Sequence, residues 1–422
     1  MTENVMTKSQ SLNDWLSYLE HIHPKTIDMG LERVRSVAEQ CNLLHPECYV
    51  ITVGGTNGKG TTCAMLAAIL KAAGYAVGVY ASPHILHYNE RIVVNGMPVS
   101  DQDICDAFAV IEKNRQNVSL TFFEFGTLAA LEVFRHKKLD FILLEVGLGG
   151  RLDATNIIDS DIAVITSIDL DHCDWLGDTK ELIATEKGGI FRPNKPAISG
   201  EPFPPETLKS GAIDRLSYWY GVNEDFKYQV QEESGEWLYQ GQYLKLDCLP
   251  KPSLPIQNAA TTLAVIEHIS QKFEITETAI RNGLSDANLN GRLQVLSKTP
   301  LTVVDVAHNP HSARYLATQL KEISKTKKIA AVVGMLKDKD IEHTLDAVKS
   351  YIDEWFLADL DGPRAATAVM LAEHLDCSAE VSKFLTVKAA YTAATKKYFN
   401  ENDYIIVFGS FLTVAAVCEL FE

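Results

Sequence analysis

Cysteine is sparse along this chain and is never spaced as Cys-x-x-Cys. Its eight cysteines are scattered. That excludes a zinc ribbon and a disulfide frame and fits reduced thiols in a cytoplasmic protein. Positive charge is also short: 39 Lys and Arg against 55 Asp and Glu leave a net charge of −16. Nucleic-acid binders carry a basic footprint, so no nucleic-acid partner is expected. A local cationic pocket for an acidic ligand stays open. No apolar run reaches the ~20 residues that span a bilayer. The opening residues MTENVMTKSQ carry no apolar core of a secretion signal. A membrane partner is therefore not expected, and a cytoplasmic location is. Internal repeats and low-complexity tracts are lacking too.

What is there begins with Gly54-Gly55-Thr56-Asn57-Gly58-Lys59-Gly60-Thr61-Thr62. An apolar run, Tyr49 to Val53, leads in, and a helix-forming run, Cys63 to Ala73, leads out. Glycines let backbone N–H groups turn around phosphate oxygens, and a lysine adds positive charge. The following helix points its N-terminus at the anion. The stretch departs from Gly-x-x-x-x-Gly-Lys-Ser/Thr at Val53 and Gly60, which moves the hydroxyl on to Thr61. Its alternative is a strand-to-helix turn without a ligand.

Apolar runs then alternate with amphipathic helical stretches. Buried strands are expected at Val77–Ala81, Phe141–Glu145 and Ile162–Ile168, with helices at Asp101–Lys113 and Phe125–Lys137. Runs apolar throughout suit parallel strands covered on both faces. A proline-rich stretch follows Arg192. The polar/apolar alternation after it (YWYGVNEDFKYQV, EWLYQGQYLKL) predicts a small antiparallel insertion or edge sheet at about 200–250. A helix is expected from near Gln257. The βα rhythm restarts after Gly291-Arg292, with strands at Leu301–Asp305, Ile329–Val333, Glu354–Leu357 and Tyr404–Phe408. The expected domains are 1–294 and 295–422. The second lacks Gly-x-Gly-x-x-Gly after its first strand, which disfavours a nicotinamide cofactor.

Candidate chemistry lies at strand ends, where ligands of open α/β sheets sit. Glu145 ends an apolar strand and can hold magnesium beside a nucleotide; it can equally cap the next turn. His172, in Asp169-Leu-Asp171-His172-Cys173-Asp174, can be a metal ligand, a base or a surface histidine. Ser82 follows another strand and can add an oxygen. Cys173 is either a small neighbour of the site or a nucleophile. Lys187 is either a functional buried lysine or a solvated helix-end lysine. Asp305-Val-Ala-His308-Asn309-Pro310-His311 is a helix-start turn, a nucleotide-facing loop or, least of all, a metal site. Arg292 is a linker charge or a phosphate neutraliser. Phe122 and Phe123 can stack on a flat ring or simply pack in the core.

Taken in order, GTNGKGTT, Ala81-Ser82-Pro83-His84, LEVGLGGRLDATN, TSIDLDHCDWLG, EKGGIF, NGRL and DVAHNPH resemble the dihydrofolate synthase/folylpolyglutamate synthase family over nearly the whole chain. That family belongs to the Mur-ligase-like ATP-dependent amide ligases. The resemblance implies an α/β fold: an N-terminal P-loop Mur-ligase-like ATPase domain with a parallel sheet, plus a smaller C-terminal Rossmann-like domain, with the active site between them. It implies that Gly55, Thr56, Asn57, Gly58, Lys59, Gly60 and Thr61 bind ATP phosphates, and that Asn258, Arg292 and Asp305 contact the nucleotide. Ser82, Glu145 and His172 would hold magnesium. Lys187 matches a lysine that is carbamylated in this group and helps hold a second magnesium. The catalytic set would be Lys59, Glu145, His172, Lys187 and His308. A pterin pocket would draw on Ile27, Asp28, Met29, Gly30, Thr121, Phe122, Phe123, Glu124, Asp153 and Ala154. Gly188 and Leu412 stand where relatives usually have alanine and histidine.

The implied reaction is ADP-forming ligation of L-glutamate to dihydropteroate and to reduced folates through an acyl phosphate. The expected partners are these small molecules, and the expected state is a monomer. Two other ligase readings stay open, a folylpolyglutamate synthase alone and a Mur-type peptidoglycan-precursor ligase. Only 53 residues precede Gly54, fewer than a UDP-sugar domain of ~100–150 residues needs. A nucleotide switch without ligase chemistry is the reading from another class; it would need no glutamate.

Overall fold

The computed structural model describes residues 10–231, 234–376 and 379–422. Residues 1–9 of the segment read for a secretion signal, and one of the eight cysteines, Cys377, lie outside them. The chain divides into two compact units, residues 1–288 and 289–422.

The first unit is built on an eight-stranded sheet. Its strands are β1 (Tyr49–Gly54), β2 (Val77–Tyr80), β3 (Ile92–Val94), β4 (Met97–Pro98), β5 (Phe141–Glu145), β6 (Ile162–Ile165), β7 (Pro196–Ser199) and β8 (Tyr218–Gly221). Their order is β4-β3-β2-β5-β1-β6-β7-β8. The six strands from β2 to β8 in that order run parallel, and β3 and β4 close the edge antiparallel. The apolar strands β1, β2, β5 and β6 are buried almost throughout, as parallel strands covered by helices must be. Val53 pairs with Glu145, and Gly54 pairs with Ile165. The glycine loop therefore leaves the sheet between the ends of β5 and β6, where the strand order reverses.

Local signals set the flanking helices. Ser100 with Asp103, and Thr121 with Glu124, form capping boxes that start the helices Asp101–Arg115 and Phe122–Arg135. The helix after the glycine loop starts at Lys59 rather than Cys63, because Gly58 at φ +87° turns the chain directly into it. Helix Glu277–Asp286 packs closely on it: a Cβ at Gly283 would lie 2.4 Å from the Cα of Ile69.

The alternation after Tyr218 does not form one insertion. Tyr218–Gly221 extends the main sheet as a parallel edge strand. The remainder, β9 (Lys227–Val230), β10 (Trp237–Gln240) and β11 (Lys245–Leu249), is a separate three-stranded antiparallel sheet. The break falls at Gly221, whose N–H bonds the Asp225 carboxylate and turns the chain away.

The second unit carries β12 (Gln294–Lys298), β13 (Leu301–Val304), β14 (Lys328–Val333), β15 (Glu354–Ala358), β16 (Val381–Phe384) and β17 (Asp403–Phe408) in the order β12-β13-β17-β14-β15-β16. All pairs are parallel except β12–β13. β12 and β16 are the edge strands, and neither carries the continuous apolar run of the interior. No helix among the described residues is long and apolar enough to cross a membrane.

Candidate active site

At the carboxyl edge of the first sheet, the glycine loop is stitched to its neighbours by long-range bonds. The N–H of Thr56 donates to Ser167 O at 2.8 Å, and that of Asn57 to Ser167 Oγ at 3.0 Å. Thr166 Oγ1 donates to Asn57 O at 2.7 Å. Thr56 Oγ1 donates to Asp169 O and accepts from Asp169 N–H. Asn258, from helix Ile256–Ile269, donates to Gly58 O at 3.4 Å. Two glycines are obligatory here. A Cβ at Gly55, at φ +139°, would lie 2.0 Å from Thr166 Oγ1; one at Gly58 would lie 2.4 Å from Asn258 Nδ2. With the N–H groups of Thr56 and Asn57 bonded to Ser167, the loop runs directly into the N-terminus of the helix that begins at Lys59, the kind of terminus whose N–H groups suit a phosphate. Gly60 and Thr61 belong to the first helical turn, with Thr61 buried.

Two lysines converge on this loop. Lys59 Nζ donates to Gly55 O at 3.0 Å and Thr56 O at 3.2 Å, and Lys187 Nζ donates to the same Gly55 O at 2.9 Å. Lys187 is buried, so it is not a solvated helix-end residue. Burial first, and Lys59 second, push its ammonium down to about 7, with Asp171 and Asp153 acting the other way. It is therefore a neutral, nucleophilic amine in part at neutral pH.

Glu145 is buried at the end of β5, and its Oε2 accepts from the N–H of Ser82 at 3.3 Å. Two of the residues predicted to hold magnesium are thereby brought together. His172 is exposed and adopts a left-handed backbone (φ 55°), which is costly for a non-glycine residue. Its N–H bonds Asp171 Oδ1 at 2.9 Å. Cys173 beside it is an exposed free thiol. No three His, Cys, Asp or Glu side chains gather as a metal cluster among the described residues.

The loop after β5 carries Asp153, whose buried carboxylate accepts four bonds: from Gly147 N, Leu148 N, Thr155 N and Thr155 Oγ1. Burial raises its pKa, and these bonds oppose the rise. Ala154 is buried as the start of the short helix that Asp153 caps. Two of the candidate ring-binding side chains lie against this loop. A Cβ at Gly147 would lie 2.6 Å from the Phe123 ring, and one at Gly149 would lie 3.6 Å from Met29 Cε. Phe123 also lies 5.9 Å from Tyr80, and Phe122 sits edge-on to Tyr88 at 5.8 Å under the Arg91 guanidinium. Both phenylalanines are partly exposed and pack on the core. Ile27 and Gly30 are half-buried in the segment that carries Asp28. Sequence patterns do not single out Arg33, which pairs with both Asp28 (2.9 Å) and Glu124 (3.1 Å). Nor do they mark Arg91, whose Nε donates to His84 Nδ1 at 2.8 Å. Burial and Arg91 push His84 down to about 4, so it stays neutral. A lone charged residue within a helix or turn carries no pattern that distinguishes it from a solvated one.

The remaining candidates belong to the second unit. Asp305 follows β13 and is buried, accepting from Leu293 N at 3.0 Å and Ala307 N at 2.8 Å; burial raises its pKa and Arg292 counters. Arg292 lies 5.7 Å over the Phe411 ring, and His308 lies 6.1 Å from that ring. His308 Nδ1 meets Val306 O at 2.8 Å; a carbonyl only accepts, so Nδ1 carries the proton. Asn309 caps helix Pro310–Ile323 through a reciprocal bond with Ser312. The Asn-Pro segment is thus a helix start, and it presents Asp305 and His308 at one sheet edge.

The Mur ligase middle domain family matches residues 53–199, and the Mur ligase glutamate ligase domain family matches residues 291–411. The dihydrofolate synthase/folylpolyglutamate synthase of Escherichia coli (strain K12) is 48% identical over 411 residues, covering 97% of this chain and 96% of that protein. The structure of E. coli FolC in complex with DHPP and ADP has a TM-score of 0.94 at 48% identity, covering 98% of both chains. A bifunctional folylpolyglutamate synthase/dihydrofolate synthase crystallised with Mn, AMPPNP and L-glutamate bound has a TM-score of 0.92 at 48% identity, covering 99% of both. Likeness at this identity over nearly full length, on top of the stitched glycine loop and its two lysines, means that the chain belongs to the dihydrofolate synthase/folylpolyglutamate synthase family of Mur-type ligases.

Proposed function

We propose that this protein is an ATP-dependent ligase that adds L-glutamate to dihydropteroate and to reduced folates. The observation that carries the reading is the glycine loop, held between the ends of β5 and β6, with Lys59 and buried Lys187 on one carbonyl and Glu145 beside Ser82. A carboxylate does not condense with an amine unaided. A substrate carboxylate oxygen attacks the γ-phosphorus, the bond to ADP breaks, and an acyl phosphate forms. Glutamate's amine then attacks the acyl carbon; phosphate leaves with the former carboxylate oxygen, and the amine loses a proton. The loop N–H groups and Lys59 hold the phosphates and offset charge repulsion between carboxylate and triphosphate.

ATP and a divalent metal fit this site, and a nucleotide analogue and Mn are bound in the relative. Ser82, Glu145 and His172 would hold magnesium, which supplies further neutralisation of phosphate charge when bound. Burial and the lowered pKa of Lys187 support its reaction with carbon dioxide. Its nitrogen would bond the carbon with loss of one proton, and the carbamate oxygens would be available to a second metal. Asn258 is the first unit's further candidate for a nucleotide contact; Arg292, Asp305 and His308 are those of the second. Ile27, Met29, Phe122, Phe123 and Ala154 form the ring pocket, organised by Asp28, Glu124 and Asp153.

Purified protein with ATP and magnesium is offered dihydropteroate or tetrahydrofolate, each with and without glutamate, and ADP is counted. ADP should form only when acceptor and glutamate are both present. ADP formation indifferent to glutamate would instead identify a nucleotide switch. Oxygen-18 placed in the acceptor carboxylate should appear in the released phosphate; its absence there removes the acyl phosphate.

A further inference from the structure

Between the helices Leu12–Leu19 and Glu32–Cys41 the chain runs from Glu20 to Leu31 without regular structure. This stretch carries Ile27, Asp28, Met29 and Gly30, and two polar side chains fasten it beside the start of helix Phe122–Arg135. Arg33 reaches out of helix Glu32–Cys41 as a fork. Its Nη1 pairs with Asp28 Oδ2 at 2.9 Å, and its Nη2 donates to Asp28 O at 2.7 Å and to Glu124 Oε1 at 3.1 Å. The other oxygen of Glu124 accepts from the N–H of Thr121 at 2.7 Å. His23 makes a parallel link: Nδ1 to Ser119 Oγ at 2.7 Å and Nε2 to Asp28 Oδ2 at 3.3 Å. Ser119 Oγ in turn donates to Ile22 O at 3.2 Å.

Glu124 is buried, and the His23 side chain is nearly so. Asp28 is thus the shared acceptor of two links, with Lys25 as a third, outer partner at 3.3 Å. The planar guanidinium suits this bridge because it donates in fixed directions to two acceptors at once, which an ammonium cannot copy.

We infer that Arg33 and His23 are positioning residues for the ring pocket: together they lock the segment bearing Met29 onto the helix start bearing Phe122 and Phe123. This rests on the functional reading above. Neither residue is asked to touch the substrate. Without the staple, a stretch lacking regular structure is free to move Met29 relative to Phe123, and the pocket loses its preformed shape.

The test uses the full-length protein with Arg33→Gln, Arg33→Lys and His23→Gln. Arg33→Gln should raise the KM for dihydropteroate about tenfold, the loss expected of one charge-assisted hydrogen bond, while the KM for ATP stays within about twofold of the parent. Arg33→Lys keeps the charge without the fork and should recover only part of that loss; His23→Gln should act in the same direction. Amide hydrogen exchange in residues 20–31 should quicken in Arg33→Gln without substrate present. An unchanged KM for dihydropteroate in folded Arg33→Gln overturns the inference, as does an equal rise in both KM values. If Arg33→Gln does not fold, Arg33→Lys and His23→Gln decide by the same split. Should the parent protein itself not turn over dihydropteroate, the functional reading fails, and the exchange measurement still decides whether the staple exists.

Discussion

The two sheets hold the candidate residues at their carboxyl edges in different ways. In the first unit, the glycine loop is bonded to side chains far along the chain: Asn57 to Ser167, 110 residues on; Gly55 to Lys187, 132 residues on; Gly58 to Asn258, 200 residues on. In the second unit, the side chain of Asp305 bonds Leu293 and Ala307, that of His308 bonds Val306, and that of Asn309 bonds Ser312, all within 12 residues. Distant side chains hold the first set; in the second the side-chain bonds named are local, while the main chain is tied to β17 and the turn after it, Asp305 N–H to Val407 O and Gly409 N–H to Ala307 O, each at 2.9 Å. A stitched edge concentrates several partners on a few loop carbonyls, so single changes there should disturb several contacts at once. A local edge should lose one bond at a time.

The largest break is Lys59→Ala. It removes the cation beside the loop while leaving Gly55 O its bond from Lys187. ADP formation should fall by about 10²–10³-fold, the scale of losing one preorganised electrostatic contact in an active site. Thermal unfolding should change little. Turnover retained in the variant removes the central assignment.

Lys187 sharpens the comparison through pH. Its folded pKa is about 7, against an ordinary 10.5. Between those values the unfolded chain holds a proton that the folded chain has released. The unfolded state therefore binds more protons, and stability from this group rises with pH from about 7 towards 10.5. Below about 7 both states are protonated and the cost of burying the cation is present in full. Lys187→Met should flatten this slope. Denaturation of parent and variant from about pH 7 to 9, in buffer free of carbon dioxide, measures the difference; parallel curves would show that the buried amine is not the titrating group.

The local edge is the control. Asn309→Ala removes the side-chain cap of helix Pro310–Ile323. It should cost about 1 kcal/mol, the usual value of such a cap, read as a lower unfolding midpoint. A loss several times larger would mean that the Asn309 side chain supports more than the start of this one helix.

That contrast also explains what can be read in advance. β5 is legible to the residue, because Phe141–Glu145 is an apolar run bounded by an acid. The cap at Asn309 is legible because Asn-Pro is a local signal. The glycine loop is legible as a turn from strand to helix, but not the Thr166 and Ser167 bonds that hold it, since nothing within a short window links positions 57 and 167. Arg33 is hidden for the same reason: its partner Glu124 lies 91 residues away. β12 and β16 escape notice because edge strands need no continuous apolar run. The parallel pairing of β8 escapes it because alternation reports exposure on one face rather than strand direction.

A final pair of changes, the first of them the smallest in effect, separates two adjacent glycines. Gly188 closes helix Lys180–Lys187, and its backbone is helical, with φ −62°. An added Cβ would meet Phe191 at 3.3 Å and Leu208 at 3.4 Å, side-chain atoms that can give slightly. Gly188→Ala should therefore stabilise by about 0.5 kcal/mol, by restricting the unfolded chain. Gly189 faces the loop after β5 instead: its Cβ would lie 2.3 Å from Arg151 Cβ and 2.6 Å from Arg151 Cα. Backbone cannot give as a ring can, so Gly189→Ala should destabilise by about 1–3 kcal/mol. Equal unfolding midpoints for the two variants would mean that the seam between the loop after β5 and the Lys187 turn yields as readily as a side chain, and the distinction between a stitched and a local edge would lose its force.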